Sequence, residues 1–367
     1  MDVPYIDLVA QHEPLKDEIL EAVEQVLDHG WFILGEEVTQ FEQKVADYLD
    51  VPHVVGVGSG TDAIELALRM RGIGEGDEVI TVSHTWVSGV SAIDLVGAEP
   101  VFVDVDPETM LMDPAGLEDA LSDRTAAVMP VHLNGFPCDL EPIAEFCEAH
   151  DLDLIEDCAQ AIGTKYRGDF VGTRDVGCFS LHPLKVLSAC GDAGFVTVHD
   201  DDEAETLRQL RNNGRKTRDV FPHVSDNSRL DTLHAAILLV KFGHLEKWID
   251  RRREHADAYR EAFDGLVELP PDEPGGNRSV YSMFVIRHPE RDALQERLAE
   301  RGVDAKIHYP FAVHQQDAFA QFADRELPHA EQVVSRILSL PVYPEMTDAQ
   351  RDAVIEAVVE EVQELSS

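Results

Sequence analysis

The sequence predicts an α/β protein with a mainly parallel central sheet sandwiched by helices, followed by a smaller C-terminal α+β domain. Between about residues 54 and 200, short runs rich in Val, Ile and Leu alternate with helical patterns. The runs are almost continuously apolar, as expected for strands covered on both faces. Alternating strands and helices favour right-handed crossovers between parallel strands. The 367 residues, 44% of them hydrophobic, suffice for two domains with a substantial core.

Five predicted strands lie in the first part of the chain. The first leads into a helical pattern from Gly60 to about Arg71, and the second into one that ends near Ile93. The patterns PAGLEDALS and LEPIAEFCEAH follow the third and fourth strands, and a Gly-rich loop follows the fifth. The five strands are VVGVG (54–58), EVITVS (78–83), PVFVDVD (100–106), AAVMPVH (126–132) and LDLIED (152–157).

Two further strands and a long helix complete the predicted large domain. CFSLH (178–182) and GFVTVHD (194–200) indicate the strands, which the loop PLKVLSACGDA joins. An almost unbroken helical pattern runs from Arg229 to about Phe263, and its charged second half predicts a helix that connects two lobes.

The last third of the chain predicts the smaller domain. It begins after the clearest loop of the second half, PPDEPGGN (270–277). SVYSMFVIR, a helical pattern over 292–301 and DAKIHY then indicate a compact α+β unit. We therefore predict a large domain over 1–250 and a small domain over 251–367.

The chain is strongly acidic, with 71 acidic and 30 basic side chains and a formal net charge of −41. No cluster of Lys and Arg could neutralise a run of phosphates, which excludes nucleic-acid binding through a basic face. The acidic residues are spread along the whole chain, and so dense a charge repels itself unless salt screens it. This pattern predicts a halophilic protein; the alternative is an ordinary acidic enzyme.

The cysteines and the N-terminus indicate a cytoplasmic protein. Five cysteines without a CxxC pair do not suit a disulfide framework, so we expect reduced thiols. The first residues lack the basic patch and apolar run of a signal peptide. No stretch approaches the ~18 apolar residues that cross a bilayer. We expect a soluble protein that binds no membrane, and we assign no metal site.

The predicted sheet selects the candidate functional residues. In open parallel sheets, ligands bind beyond the carboxyl ends of the strands. Small or polar residues stand at five such ends, which makes these segments the candidates for a binding site. They are Gly58–Thr61, Ser83–Trp86, Pro130–His132, Glu156–Asp157 and Ser180–His182.

Two of these segments suit a flat, anionic ligand. Gly58 to Thr61 lie between a strand and a helix start, where free N–H groups and small side chains can hold an anion. The spacing matches neither a Walker motif nor GxGxxG, and a tight turn capped by Thr61 is equally compatible. Trp86, one of three tryptophans, could form a wall against an aromatic ligand or pack in the core.

Asp157 and Lys185 are the candidates for chemistry. A carboxylate at the end of a buried strand needs a cation or hydrogen-bond donors. Asp157 is therefore a helix cap, an ion-pair partner of an arginine, or the partner of a protonated ring nitrogen. Lys185 is one of only eight lysines and lies in an apolar loop. Desolvation lowers the pKa of an amine and makes it available for Schiff-base formation, whereas the alternative is a surface lysine.

Together these features specify a cofactor. An anion cradle, an aromatic wall, a carboxylate at a strand end and a loop lysine occur in this order on one predicted sheet. Pyridoxal 5′-phosphate requires these groups, because the protein must hold its phosphate, keep its ring nitrogen protonated and supply an amine. We therefore predict that the chain binds this cofactor.

Nearly the whole chain carries motifs of one enzyme family, in order. They include YIDLVAQ, WFILGEEVTQFE, SGTDAIELAL, GDEVITVSHTWVS, PVHLNGFPCDL, IEDCAQAIGTKYRGDFVGTRDVGCFSLHPLKVL, NSRLDTLHAAILL, IHYP and SLPVYPEMTDAQ. On these motifs the chain resembles the fold-type-I, pyridoxal-phosphate-dependent sugar-nucleotide aminotransferases of the DegT/DnrJ/StrS family. The resemblance implies the fold of that transferase class.

The resemblance also implies roles for the residues that meet the reacting groups. Lys185 would form the Schiff base with the cofactor, and Asp157 would face the protonated ring nitrogen. Trp86 would stack on the ring. His308 and Tyr309, in IHYP, would face the substrate.

The remaining implied contacts are with the cofactor's phosphate and ring hydroxyl. Gly60, Thr61 and Ser180 would bind the phosphate, and Gln160 would lie near the ring hydroxyl or the substrate. Asn227, in DNSRL, would reach the phosphate of the neighbouring subunit's cofactor. The resemblance therefore implies a homodimer with shared active sites.

The function implied by the resemblance is transfer of an amino group from glutamate to a nucleotide-linked keto sugar, for glycan or polysaccharide biosynthesis. Relatives with His in place of Lys185 dehydrate sugars instead. GDAG (191–194) and NSRLD (227–231) resemble members that use 3-keto hexoses more than those that use 4-keto hexoses, although CGDAG (190–194) departs from the usual GEGG. The alternatives are a regulatory homologue without turnover, a sugar dehydratase and an amino-acid transaminase.

Overall fold

The computed structural model describes residues 2–366, and its centre is a seven-stranded sheet. Along this sheet the strand order is β1-β9-β8-β5-β4-β2-β3. A two-residue hairpin, β6 and β7, and a separate pair in the C-terminal part, β10 and β11, complete the strands. The strands are β1 (His53–Val57), β2 (Glu78–Val82), β3 (Glu99–Val103), β4 (Thr125–Val128), β5 (Asp153–Asp157), β6 (Lys165–Tyr166), β7 (Asp169–Phe170), β8 (Val176–Ser180), β9 (Gly194–Val198), β10 (Phe284–Arg287) and β11 (Ile337–Leu340).

The central sheet is mainly parallel, as predicted. Strands β3, β2, β4, β5 and β8 pair in parallel, and β9 is antiparallel to both β8 and β1. Only β9 therefore runs against the others. All seven predicted strand positions are confirmed within a few residues.

Helices cover both faces of this sheet. They are α1 (Leu8–His12), α2 (Lys16–His29), α3 (Glu36–Leu49), α4 (Gly60–Met70), α5 (Val87–Leu95), α6 (Leu117–Ala120), α7 (Leu140–His150), α8 (Asp201–Leu210), α9 (Thr232–Phe242), α10 (Leu245–Phe263), α11 (Arg291–Glu300), α12 (Pro328–Arg336) and α13 (Asp348–Leu365). Neighbouring strand residues belong to different apolar clusters, because successive side chains point to opposite faces. Val54 packs with Phe41 on one face, and Val55 packs with Ile64 on the other. Burial on both faces explains the continuous apolar runs.

The almost unbroken helical pattern from Arg229 to about Phe263 is confirmed with one interruption. The chain forms two helices, α9 and α10, with a break at Gly243 and His244. There the N–H of Gly243 bonds to the carbonyl of Val240, three residues back, so that the last turn of α9 is tightened. The two helices have different partners, since α9 packs against α2 and α3 while α10 packs against α13. The chain turns where its packing partner changes.

The C-terminal part forms the predicted α+β unit. Strands β10 and β11 pair antiparallel, and α11 and α13 pack against each other beside them. The segment DAKIHY contributes a single bridge, Lys306 to Ser339, and no strand. The N-terminal segment joins this unit, because Val3 pairs with Val303. We propose that the boundary between the large domain (1–250) and the small domain (251–367) lies within the connecting helix α10.

No helix within residues 2–366 has the length and apolar character needed to cross a membrane.

Candidate active site

A cavity of about 500 Å³ opens at the carboxyl ends of the parallel strands, where α/β sheets bind their ligands. It lies between the central sheet and the beginning of the small domain. Nine of the ten residues predicted for the site line it: Gly60, Thr61, Trp86, Asp157, Gln160, Ser180, Lys185, His308 and Tyr309. The structure thus brings together residues that are up to 249 positions apart in the chain.

The turn between β1 and α4 forms one end of the cavity. Ser59 is the N-cap of α4, and its hydroxyl accepts a hydrogen bond from the N–H of Asp62 at 3.0 Å. The N–H groups of Gly60 and Thr61 have no partner within the helix, because they precede its first backbone bonds. A Cβ added at Gly60 would lie 2.6 Å from Cβ of Ser180. Glycine therefore keeps the helix N-terminus and Ser180 close enough to hold one anion.

Asp157 lies at the end of β5 and is 6% exposed. Its Oδ1 accepts a hydrogen bond from the N–H of Ala159 at 3.0 Å. Oδ2 has no hydrogen-bond partner among residues 2–366. Gly89 lies beside it, and a Cβ added at Gly89 would be 3.3 Å from Oδ2. Burial raises the pKa of Asp157, although the Ala159 N–H and the positive charge of Lys185 oppose this shift. One carboxylate oxygen is therefore left for a donor inside the cavity.

A buried pair behind Asp157 supports the strand end. His132 Nε2 lies 2.9 Å from Glu156 Oε2, and the backbone N–H of Cys138 donates to His132 Nδ1 at 3.0 Å. Because Nδ1 accepts, Nε2 carries the proton and donates it to Glu156. The main chain of His132 also bonds to the carbonyl of Asp157 at 3.0 Å. Both segments were candidates from the sequence, but this contact between them was not foreseen.

Lys185 lies in the loop between β8 and β9. Burial lowers the pKa of its ammonium below the ordinary value, and the negative charge of Asp157 opposes this shift. The loop is fixed at both ends, since the N–H groups of Leu181 and Ala189 bond to the carbonyls of Ala193 and Leu181, each at 2.7 Å. The surface-lysine alternative is therefore wrong: the half-buried Lys185 lines the same cavity as the buried carboxylate of Asp157.

The orientation of Gln160 is set by the main chain. Its Oε1 accepts the N–H of Asn134 at 2.6 Å, so that the amide nitrogen points the other way. Nε2 lies 3.4 Å from the hydroxyl of Tyr309, near the upper limit for a hydrogen bond. The second hydrogen on Nε2 is free to donate to a ligand in the cavity.

Aromatic rings form one wall of the cavity. The rings of Trp86 and Tyr309 have centroids 5.1 Å apart at an angle of 41°. Trp86 is 52% exposed, which excludes the core-packing alternative for this residue. His308, beside Tyr309, is half-buried and its Nδ1 lies 3.0 Å from the hydroxyl of Ser339. The small domain therefore brings two side chains against the edge of the large domain's site.

Asn227 is the one predicted site residue that does not line this cavity within residues 2–366. It is exposed and pairs with Asn212 at the base of a protruding segment, 213–227. The next residue, Ser228, is buried, and its carbonyl accepts the N–H of Gly58. The base of the segment is thus anchored beside the anion cradle, while the exposed Asn227 does not contribute to the cavity of its own chain.

Several cavity residues were missed by the sequence analysis. Ser282 and Met283 come from the start of the small domain, and Asp192 follows Lys185 by seven positions. His182 was among the strand-end candidates but received no role. Ser282 and Met283 carry no sequence signal, because their place in the cavity depends on how the two domains pack.

The residues present fit pyridoxal 5′-phosphate. The cradle formed by Gly60, Thr61 and Ser180 suits the phosphate, and it stays open because Gly60 carries no Cβ. The free oxygen of Asp157 suits a protonated ring nitrogen. The amine of Lys185, with its lowered pKa, suits the aldehyde. The amide N–H of Gln160 suits an oxygen substituent of the ring.

Replacing Gly60 with Ala is expected to weaken pyridoxal phosphate binding by about 10- to 100-fold, because the new methyl group pushes Ser180 out of the cradle. Fluorescence titration of the cofactor-free protein measures the affinity. Gly243→Ala is the matched control: Gly243 has an ordinary φ of −60°, and its Cβ would meet nothing closer than 3.4 Å. Equal affinities for the Gly60→Ala variant and the control would contradict the assignment.

Comparison with known proteins identifies the family. The chain is 42% identical to the pleiotropic regulatory protein of Geobacillus stearothermophilus, over 98% of each chain. It is 43% identical to the UDP-N-acetyl-3-dehydro-α-D-glucosamine 3-aminotransferase of Acidithiobacillus ferrooxidans, over 95% of each chain. The crystal structure of DesV from S. venezuelae superposes with a TM-score of 0.96 at 40% identity, over 99% of each chain. The model of the DegT/DnrJ/EryC1/StrS aminotransferase family matches residues 13–359, and the chain belongs to this family.

Proposed function

We propose that this aminotransferase moves the amino group of glutamate to a nucleotide-linked 3-keto hexose and so forms an amino-sugar nucleotide for glycan or polysaccharide biosynthesis. The observation that carries the proposal is that the half-buried amine of Lys185 and the buried carboxylate of Asp157 line one cavity at the carboxyl ends of the strands. Family membership supports the general reaction, since the matching model describes an aminotransferase family.

The cofactor and the protein supply different parts of the chemistry. When bound, pyridoxal phosphate supplies the aldehyde that accepts the amino group and a ring that delocalises the electrons of the broken C–H bond. Asp157 Oδ2 would keep the ring nitrogen protonated, and Gly60, Thr61 and Ser180 would hold the phosphate. Trp86 would lie against the ring.

Lys185 moves the proton. Its lowered pKa leaves a larger fraction of the amine uncharged at neutral pH, so that Nζ can remove the proton from Cα of glutamate. Nζ would pass that proton to the carbon that carried the cofactor's aldehyde, and in the second half-reaction it would move a proton from that carbon to the sugar carbon. One group thus serves as base and acid in a ping-pong cycle.

Two features support the choice of a 3-keto sugar. The motifs GDAG (191–194) and NSRLD (227–231) resemble members that use 3-keto hexoses. The relative from A. ferrooxidans is named as a 3-aminotransferase of a 3-dehydro sugar. His308 and Tyr309 then face the sugar, on the side of the cavity that the small domain forms.

The experiment that tests this proposal is a panel of UDP- and dTDP-linked 3-keto and 4-keto hexoses, each assayed with glutamate. We expect 2-oxoglutarate and a 3-amino sugar nucleotide, identified by mass spectrometry and NMR. Amination of the 4-keto sugars alone would overturn the 3-keto assignment and leave the aminotransferase intact. No amination with any sugar would overturn the whole proposal.

The name of the relative from G. stearothermophilus favours a second candidate, a regulatory protein that binds the cofactor without turnover. The cradle of Gly60, Thr61 and Ser180 is enough to hold the phosphate, so the additional presence of Lys185 and Asp157 in the cavity argues for the enzyme. A visible absorption band that disappears when glutamate is added would support turnover. A band that persists in glutamate would support the regulatory protein.

We further propose that the active unit is a homodimer in which Asn227 of each subunit completes the partner's cradle. The protruding segment exposes Val220, Phe221 and Val224, the last of which is 94% exposed. Trp31 is also 66% exposed near the N-terminus, and such apolar side chains suit a subunit interface. Mixing Lys185→Ala with Asn227→Ala subunits should restore activity that neither variant shows alone.

We also propose that the enzyme works in the cytoplasm of a halophilic organism. All five cysteines are free, which suits a reducing compartment. Because −41 charges repel one another, raising KCl from dilute buffer to ~1 M should raise the melting temperature by at least about 5 °C. Calorimetry measures the shift, and an unchanged melting temperature would contradict the halophile assignment.

A further inference from the structure

We infer that Ser83 and His314 are positioning residues: they join the two domains behind the aromatic wall of the cavity and so set the contact between Trp86 and Tyr309. Ser83 lies three positions before Trp86, and His314 lies five positions after Tyr309. Neither positioning residue lines the cavity, so each acts through a neighbour in the chain. The effect on the wall is independent of the substrate, whereas the effect on KM for the keto sugar rests on the proposed function.

Three hydrogen bonds join Ser83 to the small domain. Its carbonyl accepts the N–H of Val313 at 2.9 Å, and its Oγ accepts the N–H of His314 at 3.0 Å. The third bond is between Ser83 Oγ and Nδ1 of His314, which are 2.7 Å apart. Both residues are buried, and a hydrogen bond that is shielded from water is stronger than an exposed one.

Glu331 determines the direction of the bond between Ser83 and His314. Nε2 of His314 lies 3.1 Å from Oε1 of Glu331. An ionised carboxylate only accepts, so the neutral ring carries its proton on Nε2, and Nδ1 is an acceptor. Ser83 then gives its single hydrogen to Nδ1, while a lone pair of the same Oγ accepts the main-chain N–H of His314. The two residues therefore form a closed ring of hydrogen bonds.

The helix that carries Glu331 is fixed to the neighbouring strand. Glu331 lies on α12, and Asp104 follows directly after β3. The two carboxylate oxygens of Asp104 accept the N–H groups of His329 and Ala330, at the beginning of α12, at 2.9 and 2.8 Å. Because β2 and β3 are parallel neighbours, Ser83 and Asp104 lie at the same end of the sheet. The large domain therefore holds this part of the small domain at two points.

This attachment determines how Tyr309 meets Trp86. The rings of the two residues have centroids 5.1 Å apart, and each residue lies close in the chain to one of the two positioning residues. Among residues 2–366, only one other hydrogen bond joins segment 306–316 to the large domain, a long contact of 3.4 Å between Gln160 and Tyr309. The bonds at Ser83 therefore provide most of the hydrogen bonding that holds the wall together.

The test is ¹⁹F NMR of the full-length holoenzyme labelled with fluorotryptophan, because the fluorine shift reports the packing around each indole ring. The chain has three tryptophans, and a Trp86→Phe spectrum identifies the signal of Trp86. We expect this signal to shift in Ser83→Ala, which loses both side-chain bonds to His314. Ser335→Ala is the matched control, because it removes an exposed serine hydroxyl on α12 and should leave the signal unchanged. A shift in the control as large as in Ser83→Ala would overturn the inference.

Two substitutions of His314 separate its two side-chain bonds. An Asn side chain reaches the position of Nδ1 and can accept from Ser83, whereas a Gln side chain reaches that of Nε2 and can donate to Glu331. We expect the Trp86 signal to stay near its native shift in His314→Asn and to move in His314→Gln. An unchanged signal in Ser83→Ala or His314→Gln, or a shift in His314→Asn as large as in His314→Gln, would contradict the inference. If Ser83→Ala does not fold, the two His314 variants decide.

Steady-state kinetics measure the consequence for the substrate. Ser83→Ala should raise KM for the keto-sugar nucleotide about tenfold with a smaller change in kcat, because Tyr309 is held less firmly while Lys185 and Asp157 stay in place. A loss confined to kcat, with KM unchanged, would count against a positioning role. The NMR result needs no turnover, so a failure of the proposed function leaves it readable.

Discussion

Replacing Lys185 with Ala is expected to lower the rate of transamination by at least about 10⁴-fold, because the variant loses both the amine that holds the cofactor and the group that moves the proton. The fold should survive, since Ala is smaller than the lysine side chain and the loop is anchored by backbone hydrogen bonds at Leu181 and Ala189. Single-turnover assays with glutamate measure the loss, and circular dichroism checks the fold.

Lys247→Ala is the matched control for this experiment. Lys247 is exposed on α10, away from the cavity, so its removal should leave the rate unchanged. Borohydride treatment of the native holoenzyme should attach the cofactor to the peptide that contains residue 185. Near-normal turnover in the Lys185→Ala variant, or attachment at another lysine, would refute the assignment of Lys185.

Replacing Asp157 with Asn is expected to lower kcat on the order of 10³-fold, because the neutral amide no longer stabilises the positive charge of the cofactor's ring nitrogen. The size and shape of the side chain are kept, so packing should not change. Asp153→Asn is the control: Asp153 lies at the other end of β5, where it pairs with Arg71 at 2.9 Å. Activity within twofold of the native enzyme in the Asp157→Asn variant would contradict the role.

The same substitution has a predicted effect on the cofactor-free protein. Burial raises the pKa of Asp157, so the folded state binds a proton on this group more tightly than the unfolded state does. Ionisation at pH 7 therefore lowers the free energy of unfolding, and Asn removes that penalty. The Asp157→Asn variant should melt at a higher temperature at pH 7. The difference should shrink as the pH falls through the raised pKa.

The sheet and the chemistry-bearing residues could be predicted because both leave local signals. A strand buried on both faces is a run of apolar residues, and polar residues at its carboxyl end mark the ligand edge. Asp157 is identified in this way, and Lys185 by its isolated position in an apolar loop. The direction of β9 could not be predicted, since parallel and antiparallel strands that are buried on both faces look alike in sequence.

Other features depend on contacts between distant segments. The orientation of Gln160 follows from the N–H of Asn134, and the break at Gly243 follows from a change of helix partners. Ser282 and Met283 enter the cavity only when the small domain packs against the large one. Such contacts are set by tertiary structure, which no spacing within the motifs encodes.

The reversal of β9 has a consequence for catalysis. Antiparallel neighbours can be joined by a hairpin, whereas the chain between two parallel strands must cross over to the opposite ends of the strands. The loop between Ser180 and Gly194 therefore begins and ends at the same end of the sheet. Lys185 lies on this short loop, which backbone hydrogen bonds hold at both ends. An amine restrained in this way cannot diffuse off once it is released, so its effective molarity at the reacting carbon stays high throughout the cycle.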